Sequence, residues 1–121
     1  DYYELRKYIG ISIMTAKKDY LFASKLSALL SRSEAAMRDL YDIYYFSKNH
    51  WDINAEIIKI RTGKSVKEYL ADCIAFIEKV KNNQILHGIG ELLDNKEKAW
   101  VKNHLKTEAI FMLRNYMSVM K

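Results

Sequence analysis

Apolar residues recur along most of this chain at intervals of three and four positions, the spacing that places side chains on one face of a helix. The clearest case is the stretch from Val66 to about Lys81, whose apolar positions are Leu70, Cys73, Ile74, Ile77 and Val80. Shorter patterns of the same kind predict helices over residues 18–30, 32–48, 55–61, 84–93 and 95–120. The spacing therefore predicts a mainly α fold, a bundle of five or six helices.

Helix-capping signals agree with these boundaries. A serine or aspartate followed three positions later by glutamate is typical of the first turn of a helix. This spacing occurs at Ser31 with Glu34, at Ser65 with Glu68, and at Asp94 with Glu97. Gly63 is placed to end the third helix, and Asn82 with Asn83 to end the fourth. The absence of proline from the 121 residues also favours helices over a turn-rich β fold.

One short segment has a different character. Residues Ile11–Met14 follow a glycine and include two β-branched isoleucines. Such a run is typical of an extended segment or edge strand, which is not stable without partners. We therefore expect one short N-terminal strand that belongs to a larger sheet.

Composition narrows the class of protein. At 121 residues, half of them hydrophobic, a single domain is the default. No apolar run approaches the roughly 20 residues of a transmembrane helix, and the start, DYYELRKYIG, is too polar for a secretory signal. The lone Cys73 excludes an internal disulfide. We expect a soluble cytoplasmic protein with no membrane partner. The net charge of +5 is spread along the chain, so charge alone does not identify a nucleic-acid partner.

The most informative stretch runs from residue 21 to residue 46, two predicted helices joined by a tight turn. On the first, Lys25 falls on the inward side, and Arg32 follows two turns later on the same line. On the second, Asp39 and Asp42 share one flank. An inward lysine is costly unless a carboxylate or a phosphate meets it, so we expect Lys25 close to an aspartate. The alternatives are that Lys25 extends past the apolar face to water, and that Asp42 forms a surface pair with Arg38.

Other chemistries find little support in the sequence. The three histidines share no metal-ligand spacing, the serines have no nucleophile-elbow glycines, and no glycine-rich phosphate loop is present. Tyr41, Tyr44 and Tyr45 have the spacing of core aromatics, with base stacking as the alternative.

The order of residues in this stretch resembles the C-terminal half of the abortive-infection nucleotidyl transferase toxins, the AbiEii-type family. Those proteins share a helix of the form LA-x-KL-x-AL-x-x-R, followed shortly by RDLYDIYY. Here LFASKLSALLSR occupies residues 21–32 and RDLYDIYYF occupies residues 38–46. The preceding ISIMTAKKDY is similar to the last strand of the nucleotidyl transferase core, leading into the lysine helix.

The resemblance implies a role for each matching residue. Lys25 corresponds to the lysine that faces nucleotide phosphates, with Arg32 and Arg38 supporting the phosphate side. Asp39 and Asp42 correspond to aspartates near the active site, which orient the lysine or help to activate the acceptor. The implied reaction transfers a nucleotide from a nucleoside triphosphate (NTP), with Mg²⁺, to an acceptor such as RNA. An antitoxin protein is an implied partner.

The chain departs from the family in its metal-binding half. It contains neither a glycine-rich GG-T-type segment nor a D-x-D pair, and it does not begin with methionine. We therefore expect residues 1–121 to be the helical C-terminal part of a longer enzyme, with residues 1–17 at the edge of the missing N-terminal catalytic half and residues 18–121 forming the helical part. Such a fragment would bind no metal or NTP and would be inactive alone. The alternative is a non-catalytic helical module that binds a partner protein or nucleic acid. An open cleft at Lys25 would favour the enzyme, and burial of the same groups as ion pairs would favour the module.

Overall fold

The computed structural model describes residues 18–31, 36–89 and 93–120. Of these residues 82% are helical, and no strand occurs among them. The six helices are α1 (Lys18–Leu29), α2 (Ala36–Lys48), α3 (Ala55–Thr62), α4 (Val66–Lys79), α5 (Asn82–Ile89) and α6 (95–118), which includes a π-helical turn at Val101–Leu105. The predicted mainly α bundle of five or six helices is confirmed. The strand expected at Ile11–Met14 lies outside the described residues, as does Glu34 of the first capping box.

Local sequence sets most of the helix ends. Ser65 with Glu68, and Asp94 with Glu97, each form the reciprocal side-chain and backbone hydrogen bonds of a capping box. Gly63 ends α3 with a φ of 75°, in the left-handed region that a residue without a Cβ adopts readily. These two of the three predicted capping boxes and the glycine stop are therefore confirmed.

The expected end of the fourth helix was wrong. Asn82 and Asn83 do not close α4, which ends at Lys79, but form the first turn of α5. The reason is a capping contact at the start of α5, where the side-chain oxygen of Gln84 accepts a hydrogen bond from the backbone N–H of Lys81. That bond satisfies an N–H group that would otherwise lack an intrahelical partner.

An aromatic cluster joins the two ends of the described chain. The rings of Phe46 and Trp51 stack with their centroids 4.2 Å apart, and Phe22 meets the rings of Phe46 and Tyr116 edge-on at 5.7 Å each. The Tyr116 hydroxyl donates a hydrogen bond of 2.5 Å to the backbone oxygen of Trp51. The cluster therefore holds α1, the end of α2 and the last turns of α6 together. Around it α1 packs on α2 and α3, and α6 packs on α2 and α4.

The π-helical turn changes which residues of α6 are buried. Val101, Leu105, Ala109 and Leu113 are all buried at intervals of four residues. The apolar residues Trp100, Ile110 and Met117 lie off this line and are only partly buried. A π turn is wider than an α turn, so side chains four positions apart stay on one face of α6. The residues after the turn consequently face a different direction from the one that a regular α-helix would give them. None of the helices in the described ranges has the length and apolar character needed to span a bilayer.

Phe46→Ala should lower the free energy of unfolding by about 3–5 kcal/mol, because it leaves a cavity at the centre of the aromatic cluster. The matched control is Phe111→Ala, since the Phe111 side chain is 55% exposed and should cost less than about 1 kcal/mol. Urea denaturation followed by circular dichroism measures both. Equal losses for the two variants would contradict this account of the core.

Cys73 should not react with a thiol reagent while the protein is folded. Burial raises the pKa of the Cys73 thiol to about 12, so at neutral pH almost none of it is the nucleophilic thiolate. We expect Ellman's reagent at pH 8 to modify Cys73 only after guanidinium unfolds the chain. Rapid modification without denaturant would show that the α4 core opens readily.

Candidate functional site

The ammonium group of Lys25 on α1 lies between two carboxylates of α2. Its Nζ is 3.2 Å from Asp39 Oδ1, to which it donates a hydrogen bond, and 3.2 Å from Asp42 Oδ2. The two aspartates are three positions apart, so their side chains leave α2 on the same flank. The expected contact between Lys25 and an aspartate is therefore present, and it involves both. We call these three residues the lysine–aspartate cluster.

The cluster is largely removed from water. The Asp39 and Asp42 side chains are 1% and 5% exposed, and that of Lys25 is 24% exposed. A carboxylate loses several kcal/mol of hydration when it is buried, and a nearby cation with good geometry offsets that loss. The ammonium group is thus a required partner of the two aspartates rather than a lysine tip that extends into solvent.

Arg38, one of the two arginines named from the sequence, is not part of this contact. Arg38 is exposed on α2, between residues that face the core. Asp42 is buried and paired with Lys25, so the surface pair with Arg38 considered above does not describe it. Arg32 lies outside the described residues. The structure therefore brings together Lys25, Asp39 and Asp42 and leaves Arg38 at the surface.

Two contacts that the sequence pattern did not reveal hold α1 in place. The Tyr69 hydroxyl on α4 donates hydrogen bonds to the backbone oxygens of Leu26 (2.9 Å) and Ser27 (3.1 Å), directly after Lys25. Burial raises the pKa of Tyr69, so its hydroxyl keeps the proton that it donates. At the other end of α1, Asn54 donates from its side chain to Asp19 Oδ2 at 3.1 Å and from its backbone to Asp19 O at 3.2 Å. No local signal marks either pair, because the partners are more than 30 positions apart.

The geometry limits the chemistry of the cluster. An ammonium group has three N–H donors, and two carboxylates already lie around this one. One cation and two anions leave a net charge of −1. The space between the carboxylates, where a divalent cation would have to lie, is taken by Nζ. Among the described residues no group of histidine, cysteine, aspartate or glutamate side chains is arranged to hold a metal ion. The cluster therefore does not fit Mg²⁺.

Two grooves lie away from the cluster. One, of about 450 Å³, runs between α4 and the end of α6. The other, of about 220 Å³, lies between the end of α2 and α6. The lining of neither groove includes a residue of the lysine–aspartate cluster. These grooves are therefore separate from the candidate site.

Comparison with known protein families places the chain beside a family of toxins. The family model described as "Nucleotidyl transferase AbiEii toxin, Type IV TA system" matches residues 2–108. The matched range covers most of the chain and includes the whole lysine–aspartate cluster. No curated protein and no solved structure shows a significant similarity to the chain.

Lys25→Ala should destabilise the fold by roughly 2–4 kcal/mol, because it removes a cation that lies 3.2 Å from each of two buried carboxylates. The control is Lys64→Ala, which removes the cation of an ion pair with Asp72 whose side chains are 47% and 40% exposed. That pair is hydrated, so its loss should cost less than about 1 kcal/mol. Thermal unfolding of the two variants gives the comparison. A Lys25→Ala variant as stable as Lys64→Ala would mean that water replaces the ammonium group without cost.

Proposed function

Because the chain belongs to the AbiEii nucleotidyl transferase toxin family, we propose that it is the helical part of an enzyme that transfers a nucleotide from an NTP to RNA. The observation that carries this proposal is the lysine–aspartate cluster, in which a single ammonium group is held in a fixed position. Nucleotidyl transfer needs little covalent chemistry from the protein and depends on positioned positive charge.

In this proposal Lys25 contacts the triphosphate. The acceptor hydroxyl oxygen forms a bond to the α-phosphorus and loses its proton to water, and pyrophosphate leaves as the bond between the α-phosphorus and the bridging oxygen of the β-phosphate breaks. Asp39 accepts a hydrogen bond from Lys25 and Asp42 forms an ion pair with it, and a remaining N–H group of Lys25 serves the phosphate. Both carboxylates are buried, so we assign them to positioning Lys25 rather than to direct contact with the acceptor. Arg38 is exposed beside them, and with Arg32 it adds the positive charge that the cluster itself lacks.

We propose that the ligands of Mg²⁺ lie outside these 121 residues. The sequence has no D-x-D pair, and the cluster does not suit a divalent cation. The metal and most nucleotide contacts would then belong to an N-terminal catalytic half, with residues 18–121 completing the site. An antitoxin would act as a separate partner.

A second candidate function is a non-catalytic binding module. The observation in its favour is the burial of Asp39 and Asp42 as ion-pair partners of Lys25, which is what a purely structural ion pair would show. In that case Lys25 would stabilise the contact between α1 and α2 and take no part in a reaction. The two functions differ in whether the protein transfers a nucleotide. They also differ in whether removal of Lys25 lowers the rate of transfer in a variant that remains folded.

The decisive measurement is transfer of radiolabelled nucleotide to bulk RNA by the protein that includes the metal-binding half. We expect Lys25→Ala to lower the rate about 10²–10³-fold, the usual effect of removing one positioned charge stabiliser. Lys64→Ala should leave the rate unchanged. Circular dichroism at the assay temperature shows whether each variant is folded. A folded Lys25→Ala variant with near-normal transfer would show that Lys25 is only a structural ion-pair partner, and a lack of transfer by the unmodified protein would support the binding module.

The 121-residue chain by itself should label no RNA in the same assay, with or without Mg²⁺. Strong Mg²⁺-dependent labelling by this chain alone would show that the proposed division between two halves is wrong.

A further inference from the structure

Three lysines form a row along the first half of α6. Lys98, Lys102 and Lys106 are four positions apart, with Lys98 and Lys102 exposed and Lys106 half-buried. In a regular α-helix such positions drift sideways by about 40° per step, because four residues exceed one turn of 3.6. Here the π-helical turn at Val101–Leu105 lies between the first and last lysine. Its wider turn cancels most of that drift, so the three side chains leave α6 along nearly one line. We call them the α6 lysine row.

The row lies on a flank of α6 that carries no acidic side chain from the helix itself. Glu97 is turned back to the backbone N–H of Asp94 at 2.9 Å. Glu108 is on the flank that faces α2, where its charge contributes to raising the pKa of Tyr44. Trp100 marks the same flank, with its ring 5.0 Å from that of Tyr44. The lysine row is on the other side of the buried positions.

The charges of the row are uncompensated within the part of the chain that the structure describes. Three cations there have carboxylate partners: Lys25 has Asp39 and Asp42, Lys64 has Asp72, and the Arg114 guanidinium is 3.7 Å from Glu78. Single exposed lysines there, such as Lys48, Lys67 and Lys79, have none, so the row differs from them in its alignment. No such partner is found for Lys98, Lys102 or Lys106. Three aligned lysines without counter-charges produce a local positive field that an intramolecular ion pair does not reduce.

We propose that the α6 lysine row binds the phosphate backbone of the RNA acceptor. This proposal rests on the proposed function, to which it adds the surface that holds the acceptor. Each step of four residues rises about 6 Å along the helix, so the row covers about 12 Å. A nucleic-acid strand in a duplex presents a phosphate about every 3.4 Å along its axis, so several phosphates come within reach. The lysine ammonium group is a compact charge on a flexible side chain. Such a group binds phosphates without distinguishing one base sequence from another.

An acidic protein is a less suitable partner for this flank. Protein interfaces depend on apolar or aromatic anchors at their centre. The exposed residues beside the row are Ala99, Asn103 and Thr107, none of which offers such an anchor. The large exposed apolar side chains of α6 and the turn after it, Phe111 and Val119, are in its C-terminal part. A surface with charge and without anchors fits a nucleic-acid backbone.

The test is binding of a fluorescein-labelled 20-nucleotide uridine RNA to the 121-residue chain, measured by fluorescence anisotropy at several salt concentrations. The variant is Lys98→Gln/Lys102→Gln/Lys106→Gln, which lowers the net charge from +5 by three. We expect its affinity to fall about tenfold or more, and the slope of log K against log[salt] to become shallower by about 2, since each lost phosphate contact contributes about 0.7.

The matched control is Lys48→Gln/Lys67→Gln/Lys79→Gln, which removes the same charge from exposed positions on α2 and α4. It should lose less than about threefold in affinity and keep the salt slope of the unmodified chain. Equal losses for the two triple variants would overturn the proposal, because binding would then depend on net charge only. Failure of the unmodified chain to bind the RNA at low salt would also overturn it.

Two further measurements separate this proposal from its alternatives. Labelled polyglutamate that binds as tightly as RNA, with the same dependence on the row, would assign the surface to acidic proteins and overturn the RNA assignment. The transfer assay described above is independent of this one. If Lys25→Ala leaves transfer normal while the row remains necessary for RNA binding, the proposed role of Lys25 in the reaction fails and the RNA surface stands. If Lys25→Ala abolishes transfer while the row variant binds RNA normally, the reaction stands and the RNA surface fails.

Discussion

Two aspartates of α2 are buried, and the ammonium group of one lysine of α1 offsets much of the cost. Burial of a carboxylate in a medium of low dielectric is unfavourable by several kcal/mol unless a cation lies within contact distance. Lys25 meets this requirement for Asp39 and Asp42 at 3.2 Å each. A shift of α1 by one turn, about 5.4 Å, would break both contacts. Hydrophobic packing alone tolerates small sliding between helices, whereas this charge constraint admits one register.

The rest of the bundle keeps α1 in that register. Tyr69 of α4 binds the backbone just after Lys25, and Asn54 binds Asp19 at the start of the helix. The ring of Phe22 in α1 meets the ring of Tyr116 in α6 edge-on. Elements that are distant in sequence thus act on a single helix of 12 residues. Groups held in this way lose little entropy when a ligand arrives, which is the condition under which a positioned charge is most effective in catalysis.

How well the sequence predicted each feature depended on how local its physical cause is. Capping boxes and the left-handed glycine involve contacts within five residues, so Ser65, Asp94 and Gly63 could be recognised directly. The lysine–aspartate contact was predictable because an inward lysine needs an anion and α2 offered two on one flank. The π turn of α6 was not predictable from the sequence. Its effect appears only in the tertiary structure, where it determines which residues of α6 pack against α2 and α5. The Tyr69 contact also required the tertiary fold, since nothing in the sequence indicates which backbone oxygen a buried hydroxyl meets.

Two groups of cations in the described part of the chain differ in their physical effects. Those in ion pairs, such as Lys25, act at contact distance and depend on geometry, since the surrounding carboxylates cancel their field a few ångströms away. Those of the α6 lysine row act over about a Debye length, roughly 8–10 Å at physiological salt, and depend little on exact position. Capture of a polyanion depends on charges that act over a long range. Orientation of a reacting phosphate depends on a charge held at contact distance. If the proposed function holds, a chain that carries both kinds of charge can bind an RNA without engaging the lysine that we assign to the triphosphate.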